Sequence, residues 1–259
     1  MRVRPEPNSE QAEAIETFAT RTKQTEVRFS NHKPNEMKRR QTLLTLSIFA
    51  AAMALLEAAV VIYMRRLYYP ENPLALFPLE FLTSYDPTLE LAREFSTIVM
   101  LVTVAMLAER TSLTRSFAAF VFVFGFWDLL YYAWLKLLLG WPQSLLEWDV
   151  LFLVPTIWLG PWICPALIAL LFVGWGSSIL LSEKGYTLSR LGLAIFAMGA
   201  SAGLVTFLQP AGAVRWKGGM TDLLAYIPGT FWWWLFIPSY IAMAVGLGSC
   251  FWRANPVNN

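Results

Sequence analysis

Asp128 stands near the middle of an apolar run, residues 116–139, that is long enough to span a bilayer. A carboxylate in hydrocarbon is costly, so it faces a partner, a water-filled cavity or a substrate path. Tyr132 and Lys136 follow at successive spacings of four, which puts all three on one helix face. Glu57 lies seven residues before the end of an earlier apolar run, roughly 10 Å inside at the helical rise per residue. Arg93, Glu94 and Asp149 sit at the edges of two further runs. Together these residues suit a buried acid, Glu57 or Asp128, that exchanges a proton or binds a cation, with Arg93 or Lys136 holding an anionic group. They suit equally an interhelical ion pair, such as Glu57 with Arg93 or Lys136, that only fixes the helices.

The rest of the ionisable inventory narrows the chemistry further. The single histidine, His32, lies in a polar stretch, which removes the usual ligand or base of haem, zinc and Ser-His-Asp sites. Cys164 and Cys250 lie far apart inside apolar stretches and read as small core hydrophobes. No Walker loop, nucleophile elbow or His-Glu-x-x-His is present. No cofactor and no metal site is therefore expected. A net charge of +2 is too small for a nucleic-acid footprint.

The elements that must position these groups follow from composition. Hydrophobic residues make up 56% of the 259 and charged residues only 15%, against about a quarter charged in soluble domains. The chain reads as an all-α polytopic bundle with spans near 41–64, 87–109, 116–139, 161–181, 188–208 and 229–251. Residues 1–40 mix Glu with Lys and Arg and read as a polar tail, partly disordered, with at most a short surface helix around 9–21. Residues 41–251 form the transmembrane domain and 252–259 a short C-terminal tail.

Two connections stand out. Pro70, Pro73, Pro78 and Pro87, with Phe77, Phe81 and Tyr85 between them, suit a loop in the headgroup region that roofs the polar residues. Asp86-Pro87 reads as a helix start. Trp148-Asp149 opens an apolar stretch broken by Pro155, Gly160, Pro161 and Pro165. That pattern predicts a short, partly inserted or re-entrant element near 149–159 before a full span, with a single kinked helix as the alternative. Arg65 and Arg66 read as anchors flanking the first span, Tyr131 and Tyr132 as packing residues, and Trp232 to Trp234 as an interfacial belt.

Six spans put both termini on one side. Lys38, Arg39, Arg40, Arg110, Arg115, Lys184, Arg190 and Arg253 fall there, against Arg65, Arg66, Arg93, Lys136, Arg215 and Lys217 opposite. This bias gives cytoplasmic termini in a cell inner membrane. The stretches Glu57 to Tyr63, Phe126 to Tyr132 and Trp148 to Phe152 resemble uncharacterised bacterial multi-pass membrane proteins over about residues 50–175. That group has no assigned activity, so the resemblance implies no site residue. The function that fits first is a non-catalytic subunit or assembly partner of a membrane complex; the alternatives are a small proton-coupled transporter using Asp128 or Glu57 and, after it, a membrane enzyme acting on a lipid-linked substrate. The expected partners are membrane lipids and other membrane-protein subunits.

Overall fold

The computed structural model describes residues 9–79, 87–154 and 156–252. The chain divides into two units, Met1–Thr42 and Leu43–Asn259. Among the described residues six helices are long and apolar enough to cross a membrane. They are α1 (Ser9–Tyr68), α2 (Pro87–Ala108), α3 (Leu113–Leu139), α4 (Ile163–Leu181), α5 (Arg190–Leu224) and α6 (Trp233–Trp252). Residues 1–8, Phe81, Tyr85, Asp86 and the C-terminal tail from Arg253 lie outside the described residues.

Helix α1 is continuous from Ser9, where the sequence suggests only a short helix around 9–21. Its polar part is rich in strong helix formers, and Glu36 and Arg40 pair one turn apart at 2.6 Å. In the apolar part, Leu46, Ala50, Met53, Ala54, Ala58 and Ile62 are buried, while Ile48, Leu56 and Tyr63 face outward. Apolar residues all round a helix are the pattern of a membrane span. Helix α5 also runs past its expected end. Residues 209–224, read as part of a connection, continue the helix through Pro210, and its apolar span reaches Val214.

The ends of α3 follow local rules. Ser112 accepts the Arg115 backbone N–H at 3.2 Å, a helix N-cap. Gly140, at φ 82°, closes the other end in the left-handed conformation that glycine adopts without strain. Helix α3 packs along α4 at very short range. A Cβ on Gly125 would stand 2.6 Å from the Ala169 carbonyl oxygen, and one on Gly176 would stand 2.7 Å from that of Ala118. Small residues at such contacts let membrane helices approach without a hydrophobic driving force. Trp175 on α4 donates its indole N–H to the Leu247 carbonyl on α6 at 2.9 Å. Both cysteines are buried free thiols among apolar neighbours.

The segment around residue 150 is neither a half-helix nor a kinked helix. It is an antiparallel hairpin of β1 (Trp148–Phe152) and β2 (Trp158–Pro161), with Asp149 opposite Gly160 and an irregularity between Val150 and Phe152. Aromatic and β-branched residues favour the extended backbone here. Gly160 lets the hairpin lie flat on α5 and the residues before α6, because a Cβ there would come within 3.0 Å of Phe207 and 3.1 Å of Phe231. After α1, the Tyr69 hydroxyl lies 2.9 Å from the Leu76 carbonyl oxygen and 2.8 Å from that of Pro78, which folds the loop back over the end of the helix.

Candidate functional site

Helices α1, α2 and α3 and strand β1 line a partly open cavity of about 80 Å³ into which charged side chains gather. Each element brings charge to it from a helical or strand spacing. Glu57 and Arg65, eight residues apart, share one face of α1, and Glu90, Arg93 and Glu94 share one face of α2. Helix α3 brings Trp127, Asp128, Tyr131 and Tyr132, and β1 brings Asp149. Among the described residues the lining thus holds five carboxylates and two guanidiniums.

Both guanidiniums are engaged. Arg93 forms ion pairs with Glu57 and with Glu90, and the Thr97 hydroxyl donates to Glu57 at 3.4 Å. Arg65, 3% exposed, donates through Nη2 to Asp149 Oδ1 at 3.1 Å. Its guanidinium carbon lies 4.1 Å from the centre of the Trp141 ring, a contact that stabilises a desolvated cation. The Tyr132 hydroxyl donates to Asp149 Oδ2 at 3.4 Å. Burial pushes the Asp149 carboxyl up to about 6, against the opposing pull of Arg65.

Glu94 has a different task. One of its oxygens accepts the Leu153 backbone N–H at 2.7 Å, just past β1. Non-helical backbone within a membrane protein persists where protein groups satisfy it, and Glu94 supplies one such group to the hairpin.

Asp128 is the exception. Among the described residues it takes part in no ion pair and no hydrogen bond. It also lines a second, larger cavity of about 410 Å³ that reaches between α2, α3, α4, α5 and α6. The two cavities share a wall of Trp127, Asp128, Leu151 and Phe152. One unpaired carboxylate therefore meets a charged chamber on one side and an apolar chamber on the other.

Of the residues singled out from sequence, the structure brings together Glu57, Arg93, Glu94, Asp128, Tyr132 and Asp149. Lys136 is not among them. It is exposed and donates to the carbonyl oxygens of Gly140 at 3.3 Å and Pro142 at 2.7 Å. At the last turn of α3 a cation meets the free carbonyls of the helix end. Arg65, read as a flank anchor, is instead at the centre of the cluster, whereas Arg66 is exposed. The spacing of eight between Glu57 and Arg65 was the available signal. Glu90 was visible only as a first-turn acid of α2.

Among the described residues no group of three or more His, Cys, Asp or Glu is arranged to hold a metal ion. Comparison with protein-family models, curated proteins and solved structures finds no match.

Proposed function

We propose that this chain is a small proton-coupled transporter of the cell inner membrane, with both termini cytoplasmic and Asp128 as the coupling acid. The observation that carries this reading is the unpaired Asp128 carboxylate at the wall common to both cavities. An acid that exchanges protons with a bound solute needs access to both and no permanent cation of its own. Glu57, the other candidate acid, is held by Arg93 and Thr97 and serves to position Arg93.

The test uses the full chain in proteoliposomes with a pH-sensitive dye inside, challenged with a panel of amines, sugars and carboxylates. Solute-driven proton movement is expected, lost in Asp128→Asn. A pH-dependent flux that survives both Asp128→Asn and Glu57→Gln overturns the proposal.

A non-catalytic subunit of a membrane complex is the second reading. The pairs Arg65–Asp149 and Arg93–Glu57 favour it, since they join α1 to the hairpin and to α2 whether or not a solute binds. On that reading Asp128→Asn changes recovery of the complex and leaves proton flux untouched. Catalysis on a lipid-linked phosphate has less support, because Arg93 is neutralised by carboxylates and Lys136 is spent on the end of α3.

A further inference from the structure

Resting on the transporter reading, we infer that Asp128 and the larger cavity form a binding site for a lipophilic cation, an amine or onium centre carried on an apolar body. The cavity, about 410 Å³, falls within the range of roughly 300–1,000 Å³ common to small-molecule sites. Among the described residues Asp128 is the one ionisable side chain in its lining. Around it stand six rings: Phe124, Trp127, Phe152, Trp158, Phe172 and Phe207.

These rings form two connected walls. Phe124 lies 5.6 Å from Trp127 and 6.3 Å from Phe172 between ring centres, joining α3 to α4. Trp158 lies 5.6 Å from Phe152 and 6.4 Å from Phe207, nearly parallel to the latter, joining the hairpin to α5. Aromatic faces attract a cation through the ring quadrupole, and more strongly where water is excluded. A carboxylate supplies the counter-charge that a cation needs on leaving water.

The charges on the other side of the shared wall select the same sign. Arg65 faces Asp149, and Arg93 faces Glu57 and Glu90, so the charge of each guanidinium is already offset by a carboxylate and an anion would find no net positive charge there. An anionic amphiphile would meet Asp128 directly and gain nothing to offset the repulsion. A neutral lipid chain would fill the apolar volume but leave the carboxylate unpaired.

The test is equilibrium binding of radiolabelled tetraphenylphosphonium to the purified full chain in detergent, with tetraphenylborate as a probe of the same shape and opposite charge. Saturable phosphonium binding is expected, about tenfold or more tighter than that of the borate. Asp128→Asn should weaken it by about tenfold or more, since it removes one partner of a desolvated charge pair. Ala200→Phe should weaken it as well, by filling the cavity without altering charge. Lys136→Gln should leave it unchanged. Equal affinity for the two probes overturns the inference, as does an unchanged affinity in Asp128→Asn or in Ala200→Phe. Should Asp128→Asn fail to fold, the charge preference of the unmodified protein and the Ala200→Phe variant still decide. Binding is read with no gradient present. Phosphonium binding without proton-coupled flux supports the site and overturns the transporter reading, whereas proton-coupled flux without phosphonium binding overturns this inference alone.

Discussion

The two ends of α3 hold arginine in opposite ways. At its first turn, Arg115 donates through Nε and Nη2 to Glu109 at 3.0 and 2.8 Å. It also donates to the carbonyl oxygens of Ile179, Leu180 and Ser182 at 3.0 to 3.2 Å. Those carbonyls end α4, where a helix leaves acceptors unsatisfied and its dipole favours a cation. In the second half of α3 the neighbouring arginine is Arg65, which makes one hydrogen bond to Asp149 and leaves Nε and Nη1 without a hydrogen-bond partner. Asp128, which lines the same cavity, makes none. A saturated guanidinium joins helices and has no capacity left. An unsaturated cluster around a cavity is less favourable for folding, and it keeps acceptors and donors open to something else.

The comparison breaks most readily at Arg65. Arg65→Leu leaves Asp149 buried without its cation and should cost about 3–5 kcal/mol, read as a large drop in the thermal unfolding temperature in detergent. The double variant Arg65→Leu with Asp149→Leu should recover most of that loss, because replacing a whole buried pair is far milder than removing half. Recovery of nothing would mean that Arg65 acts through Trp141 instead.

Arg115→Leu comes next, at about 1.5–3 kcal/mol for a charged donor lost from several acceptors. Protein that still folds should retain full proton-coupled flux. A loss of flux at unchanged folded yield would remove the distinction between the two ends.

Acidity separates the ends by sign. Burial alone would raise the Glu109 carboxyl, but its hydrogen bonds to Arg115 and Thr111 win and hold it below the ordinary carboxylate value. Its contribution is therefore present above that ordinary value and lost as pH falls through the depressed one. Asp149 is displaced upward, from 3.8 to about 6, so the folded state favours its protonated form. Its contribution is full below pH 3.8 and fades as pH rises through about 6. Thermal unfolding followed across pH should show Glu109→Gln flattening the acid limb, and Asp149→Asn flattening the change between the two Asp149 values. The same slope in both variants would contradict the assignment.

The smallest loss of stability is expected at the site itself. Asp128→Asn breaks no hydrogen bond and removes an unpaired carboxylate from the interior, so it should leave the fold no less stable, while abolishing proton-coupled flux. Unfolding measured alongside the transport assay checks both halves of that statement.

What the sequence disclosed follows from periodicity. The six apolar runs, the shared face of Asp128 and Tyr132, and the depth of Glu57 all come from the helical repeat, which membrane helices obey closely. The same rule failed at Lys136, because one more turn along α3 reaches the helix end, where carbonyl oxygens compete for the ammonium. It could not find the hairpin, since an apolar stretch with prolines has the same composition whether it forms strands or a broken helix. Only the spacing of eight from Glu57 set Arg65 apart from Arg66. Both follow the first apolar run, and only packing against Trp141 and β1 buries one of them.

The link between Arg65 and Asp149 spans 84 residues of chain, and this separation sets an order of events during synthesis. At about 5–20 residues per second, α1 leaves the ribosome on the order of ten seconds before the hairpin exists. Throughout that interval the arginine lacks its carboxylate, so the end of α1 stays where water or lipid headgroups can solvate it. The arrival of β1 then draws it inward. A nascent chain halted before Trp148 would consequently leave Arg65 open to aqueous labelling of an adjacent engineered cysteine, and the completed chain would protect it.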